Sequence, residues 1–173
     1  AASDVYKRQI GDLVIEKFHY NKIGTVIKHI PGHGLAKSDS HIRTPYIYKN
    51  LNYLKRNDFK VFKNKKSIFA MTAHIIFSKI DPTYTVTHSK KLINIIRNEI
   101  NFKSLIISDD ISMKSLKFSI LTNTQKAFQA GCNLVLHCNA RMSEMKVVAE
   151  NSPKLDNFLL KKTLEFYKLV NIK

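Results

Sequence analysis

Ser104-Leu-Ile-Ile-Ser-Asp-Asp110 is an unbroken apolar run that ends in two carboxylates. The run is short for a helix, and its aliphatic residues do not alternate with polar ones. That is the pattern of a strand covered on both faces, as in a parallel sheet. Two adjacent carboxylates at such a strand end cannot both point into the core. Either one caps the next segment while the other is solvated, or one projects into a pocket as a nucleophile or metal ligand. A carboxylate-rich metal site wants more acids than this chain offers, with 13 in all, so a nucleophile fits better.

Three similar runs lie elsewhere: 24–29, 67–74 and 133–137. Each ends, like 105–109, in polar and reactive residues. Helical periodicity lies around and between them. Residues 89–100 place Leu92, Ile93, Ile96 and Ile100 on one face behind Ser89, a good N-cap. A second helix over 122–130 stops at Gly131, a suitable C′ residue. A third over 153–170 starts at Ser152-Pro153, which suits N-cap and N1. Weaker helices are expected over 12–20 and 48–54. This alternation predicts an α/β fold with parallel strands and right-handed crossovers. Function in such sheets gathers beyond the C-terminal strand ends. Periodicity leaves two architectures open, a small doubly wound sheet or half of a (β/α)8 barrel. No GxGxxG and no Walker loop is present.

With 173 residues and 44% apolar content the chain can bury one real core. It has no apolar run of membrane-spanning length and no signal-peptide pattern. It does not begin with Met, so the native N-terminus is expected to lie upstream. The formal charge of +16 suggests a nucleic-acid partner, but the lysines are scattered in singles and pairs and no basic block occurs. A solvated basic surface is the simpler reading. Cys132 and Cys138 fit neither a CxxC pair nor a zinc knuckle, and both read as buried thiols in a reducing compartment.

The densest stretch is Lys28-His-Ile-Pro-Gly-His-Gly-Leu-Ala-Lys-Ser-Asp-Ser-His41. His29, His33 and His41 have no spacing that fixes a metal geometry, and no HExxH occurs, so no metal is expected. Pro31-Gly32 and Gly34 argue for a tight turn after the strand. Asp39 lies two residues from His41, where a carboxylate can fix an imidazole's tautomer and raise its basicity. Such a pair serves as general acid and base, or is merely a solvated loop, and the stretch alone does not decide. His74, at its strand end, is either a packed shell residue or a ligand contact.

Together these segments resemble the family 3 glycoside hydrolases. Within that family they resemble the β-N-acetylhexosaminidase branch that recycles cell-wall muropeptides. The resemblance rests on 28–34 with Asp39-Ser-His41, and on Met71-Thr-Ala-His74 and Ile80-Asp-Pro82. It continues through Ile106-Ile-Ser-Asp-Asp-Ile-Ser-Met113 and Ala130-Gly-Cys-Asn-Leu-Val-Leu-His-Cys-Asn139. It implies a (β/α)8 barrel, with Asp109 as nucleophile, His41 as acid/base oriented by Asp39, and Lys28 and His29 gripping the sugar. His74 joins them as a candidate substrate contact from its place at a strand end. The implied reaction is retaining hydrolysis of terminal β-linked N-acetylglucosamine. The implied substrates are GlcNAc-1,6-anhydro-N-acetylmuramic acid and its peptides, or a chitobiose-like sugar. No metal or organic cofactor, no membrane and no specific nucleic acid is implied, and the full-length enzyme is expected to be a cytoplasmic monomer. The residues suit the chemistry. A retaining glycosidase needs a carboxylate beside the anomeric carbon and a proton donor at the leaving oxygen. A histidine donor adds no second negative charge near the attacking carboxylate.

Length departs from the pattern. About four βα units are present, where a barrel has eight in roughly 250 residues. The chain is expected to be the C-terminal half of the barrel, strands five to eight, with a sugar-binding arginine in the upstream half. The first nine residues resemble nothing in the family and read as non-native. A half-barrel exposes two sheet edges, so it is expected to be unstable or to dimerise. Rival readings are a basic nucleic-acid-binding domain and a phosphorolytic or β-glucosidase variant of the same family.

Overall fold

The computed structural model describes residues 2–172, with side chains described from Val5 onward. Helix α1 (Ala2–Tyr20) leads into strand β1 (Val26–Ile30). A long loop then reaches the two-residue strand β2 (Tyr46–Ile47), helix α2 (Leu51–Arg56) and a 3-10 turn at Phe59–Phe62. Strands β3 (Phe69–Thr72) and β4 (Ile76–Phe77) precede a second 3-10 turn (Val86–His88) and helix α3 (Lys90–Asn98). Strand β5 (Leu105–Asp110), helix α4 (Ile120–Ala130), strand β6 (Leu134–Leu136), and helices α5 (Met142–Glu150) and α6 (Asn157–Val170) complete the described chain.

The main sheet has the order β1-β3-β5-β6, and every pairing is parallel. Each strand is laid beside the one before it, always in the same direction. A doubly wound sheet would reverse that order at a switch point. Among the described strands no reversal occurs, which is the order of a barrel wall. Register explains the unbroken apolar runs. Ala70 lies opposite Ile106, and both are fully buried against Leu92, Ile93 and Ile96 of α3 and Ala127 of α4. Met71 lies opposite Ile107 on the other face. Truncating Ile106 to alanine should remove about 2–5 kcal/mol of stability, read as a lower urea midpoint.

The caps expected at Ser89 and Gly131 are present. Ser89 Oγ accepts from the Leu92 amide, and Gly131 adopts φ 113°. Gly131 is doubly constrained, because a Cβ there would sit 3.0 Å from Ile93 Cγ2. The last helix starts later than Ser152-Pro153 suggested. Asp156 is its N-cap and accepts from the Leu159 amide at 2.7 Å, while the Ser152 hydroxyl donates to Val148 O at the end of α5. Helix α1 extends ten residues further toward the N-terminus than the 12–20 expected, and α2 lies slightly later than 48–54. The pairing of β2 with β4 was not anticipated, since two-residue strands carry no period.

Helix α6 crosses the N-terminal ends of the strands. Its Phe166 packs edge-on against Phe69, the first residue of β3, at 5.2 Å between ring centroids. Near its other end Phe158 lies under Arg97, whose guanidinium also holds the Ser104 carbonyl just before β5. One end of the sheet is thus closed by a helix. The opposite end carries the polar strand tails.

Candidate active site

Four strand ends meet at that open side, and strand β1 supplies Lys28 and His29. Its first residues pair regularly, Val26 with Phe69 and Ile27 with Ala70, which would send His29 to the helix side with Ile27. The register shifts between Ile27 and Ile30, and Ile30 takes the place opposite Thr72. Fully buried Ile30 therefore fills the helix layer, and His29 turns toward Asp109. The Lys28–His29 and Ile30–Pro31 peptide bonds are both cis.

The two carboxylates ending β5 have separate fates. Asp110 is consumed by the protein. Its Oδ1 accepts from the Ser112 amide at 3.0 Å, the Ser112 hydroxyl at 2.8 Å and the Cys138 amide at 3.1 Å. Its Oδ2 accepts again from the Ser112 hydroxyl at 2.7 Å. Among the described residues the Asp109 carboxylate has one hydrogen bond, from the Asp110 amide to Oδ1 at 2.8 Å. Its Oδ2 faces His29 Nε2 at 3.5 Å, within ion-pair reach but long for a hydrogen bond. Its side chain is 15% exposed, open enough to meet a ligand and shielded enough to be aimed. Burial lowers the His29 pKa, with Asp109 working against the shift.

His74 lies beneath this pair and is only 1% exposed. Its Nε2 contacts the Asp110 carbonyl at 2.9 Å and must donate, because a carbonyl only accepts. Its Nδ1 therefore accepts from the Thr87 hydroxyl at 2.7 Å, and Thr87 in turn accepts from Thr72 at 2.8 Å. With both ring nitrogens taken, His74 positions the β5 backbone and presents no free atom to a ligand. That differs from the substrate contact its place at the strand end suggested.

The loop after β1 carries Asp39 and His41, both exposed. Gly32, at φ 151°, lets the chain turn where a Cβ would meet Asp58 Cβ at 2.8 Å. Asp39 Oδ1 accepts from the backbone amide of His41 at 2.9 Å. The carboxylate thus shapes the loop around His41 rather than gripping the imidazole, as the Asp-Ser-His spacing had suggested. A two-residue separation favours this Asx-type turn, which brings the carboxylate to the i+2 amide. His41 lies close enough for its charge to bear on His74. His33 packs against His29, ring centroids 5.6 Å apart.

Sequence reasoning missed several contributors. Cys132 is buried, and burial pushes its thiol up to about 12, but Cys138 is exposed and not the buried thiol expected. Its amide ties the loop after β6 to Asp110. Glu144 of α5 braces the same loop, accepting from His137 Nε2 at 2.7 Å and Asn139 Nδ2 at 2.6 Å. The His137 bond, then that of Asn139, holds the Glu144 carboxyl below its usual range. No residue type alone signals a brace of this kind.

Buried imidazoles make stability depend on pH. Burial first, then the His74 and Lys126 charges, lowers the His88 pKa from 6.5 to about 4 against an opposing bond to the Asn123 backbone. Between those values the unfolded chain binds a proton that the folded chain refuses. Stability is therefore full above about pH 6.5 and falls as pH drops toward about 4. His88 alone should remove about 2 kcal/mol by about pH 5, and His88→Gln should flatten the pH dependence of the urea midpoint.

A family model described as the glycosyl hydrolase family 3 N terminal domain matches residues 3–160. The chain belongs to this family. The family 3 match begins within the first nine residues. Among relatives, the β-hexosaminidase of Psychromonas ingrahamii is 33% identical over 146 residues, covering 81% of this chain and 41% of that protein. The β-hexosaminidase of Haemophilus influenzae strain PittEE is 30% identical over 175 residues, covering 91% of this chain and 50% of its own length. In crystal structures, NagZ from Neisseria gonorrhoeae superposes with a TM-score of 0.69 at 29% identity, over 83% of this chain and 42% of that one. This family 3 chain thus spans half or less of the length of these relatives, and its parallel α/β architecture is that of the family's N-terminal domain.

Proposed function

We propose that this chain carries the nucleophile and the acid/base loop of a β-N-acetylglucosaminidase that removes terminal, non-reducing N-acetylglucosamine with retention of configuration. One observation carries the reading. Of two adjacent carboxylates at the C-terminal end of β5, Asp110 is saturated by hydrogen bonds while Asp109 Oδ2 has only a 3.5 Å ion-pair contact with His29 among the described residues. The β-hexosaminidase relatives support the sugar, and the carboxylate's placement supports the chemistry. Asp109 attacks the anomeric carbon while His41, on its exposed loop, gives a proton to the leaving oxygen. The same imidazole then takes a proton from water, which releases the sugar from Asp109. Lys28 and His29 hold sugar hydroxyls. His74 fixes the β5 backbone so that Asp109 points out of the sheet, and Asp39 shapes the turn that presents His41.

The substrates are GlcNAc-1,6-anhydro-N-acetylmuramic acid and its peptides, fragments of peptidoglycan recycled in the cytoplasm. Among the described residues no helix is long and apolar enough to cross a membrane. The test uses the protein expressed from its whole open reading frame. It should release 4-methylumbelliferone from the β-N-acetylglucosaminide, and a 2-fluoro sugar should label the peptide bearing Asp109. Labelling at another carboxylate would overturn the assignment of the nucleophile. Release from a β-glucoside but not from the β-N-acetylglucosaminide would overturn the choice of sugar.

A further inference from the structure

Glu144 lies in the first turn of α5. A carboxylate there ordinarily serves its own helix, through the free amides of the first turn and the helix dipole. This one is turned the other way. Its Oε2 accepts from His137 Nε2 at 2.7 Å and from Asn139 Nδ2 at 2.6 Å, and its Oε1 meets Arg141 Nη1 at 3.5 Å. All three partners precede the helix, and two of them belong to the loop that leaves β6. An ionised carboxylate only accepts, so His137 donates through Nε2. The His137 side chain is 6% exposed, which shelters that bond from water.

Residues 137 and 139 are thus held by one carboxylate, and the amide between them reaches the catalytic end of β5. The Cys138 amide donates to Asp110 Oδ1 at 3.1 Å, and the Asp110 amide donates to Asp109 Oδ1 at 2.8 Å. One residue earlier the two strands are tied without Glu144, because the Ile111 amide donates to the Leu136 carbonyl at 2.9 Å. The influence of Glu144 therefore begins at His137. Its own helix is anchored in turn. Gln125 of α4 donates to Asn151, the C-cap of α5, at 3.0 Å, and Asn123 of α4 donates to the Ile111 carbonyl just past Asp110. We propose that Glu144 is a positioning residue for the nucleophile, fixing through His137 and Asn139 the loop whose Cys138 amide orients Asp110 and, through the Asp110 amide, Asp109. The inference rests on the reading of Asp109 as the nucleophile. Without the brace, Asp110 keeps its bonds from Ser112, and its carbonyl keeps His74. The displacement of Asp109 should therefore be small, yet a misplacement of about 1 Å at a reacting atom costs on the order of 10²-fold in rate.

Glu144→Ala and Glu144→Gln test the proposal in the protein expressed from its whole open reading frame. Glu144→Ala should slow labelling of Asp109 by the 2-fluoro sugar by about 10- to 10²-fold. Competitive inhibition by N-acetylglucosamine should stay near that of the unmutated protein, because Lys28 and His29 are untouched. Glu144→Gln should recover most of the rate, since its amide oxygen can accept from the same two donors. A brace that serves stability alone would lower Tm in Glu144→Ala and leave the labelling rate of the folded enzyme unchanged, which overturns the proposal. Should Glu144→Ala fail to fold, Asn139→Ala removes one of the two bonds at an exposed residue and should slow labelling several-fold. An unchanged rate in that variant overturns the proposal equally. Label on a carboxylate other than Asp109 in the unmutated protein would instead overturn the assignment of the nucleophile, whatever the Glu144 variants do.

Discussion

Asp109→Asn should lower sugar release by a factor on the order of 10⁴ while leaving the fold intact. The amide is nearly the same size and can still accept the Asp110 amide that bonds Oδ1. In the proposed mechanism it loses the negative charge that would attack the anomeric carbon and balance the positive charge growing on the sugar. The neighbouring substitution sharpens the test. Asp110→Asn disturbs a carboxylate that accepts from the Ser112 amide and hydroxyl and the Cys138 amide, so its first effect should be on stability. An Asp109→Asn enzyme with near-normal turnover, beside an inactive but fully stable Asp110→Asn enzyme, would reverse the roles given to the two carboxylates. Both variants should be compared by kcat and by thermal melting in the same buffer.

His41→Gln should lower turnover by about 10²–10⁴-fold, with a size that depends on the leaving group. An aglycone such as 4-methylumbelliferone leaves easily and needs little protonation. An alkyl sugar leaving group depends fully on the proton donor. The loss should therefore be large for a disaccharide and small in the first step for the aryl glycoside, with the glycosyl-enzyme then building up as a burst. Equal losses on both substrates would mean that His41 positions the sugar and does not transfer a proton. Asp39→Asn keeps an oxygen for the His41 amide and should be mild, because the Asp39 contact is with the backbone at 2.9 Å. Asp39→Ala, which opens the turn, should approach the His41 variant.

Apolar residues on both faces made β5 and β3 legible in the sequence, Ala70 and Ile106 buried on one and Met71 and Ile107 half-buried on the other. The helix ends at Ser89 and Gly131 were legible because capping chemistry is local. Strand order was not, because which strand lies beside which depends on contacts distant in sequence. Asp109 was chosen over Asp110 through a motif, and the physical difference between the two is visible only in the partners that Ser112 and Cys138 supply to Asp110. The direction of the Asp39 carboxylate and the burial of His74 followed the same rule. Residue type and spacing say which groups gather at a strand end, but hydrogen-bond partners decide which remain free. Ser152 misled because Asp156 caps a helix as well as serine does, and the chain had both.

The slip in β1 makes the length of that segment matter more than its composition. Without that slip, regular pairing would put His29 opposite Thr72 and exchange the places of His29 and Ile30. An imidazole would then enter the apolar layer and an isoleucine would face Asp109. Substitutions at Ile27 or Ile30 that stay aliphatic should be absorbed, whereas a single-codon insertion there must widen the slip or move Ile30 off Thr72 and should lower stability.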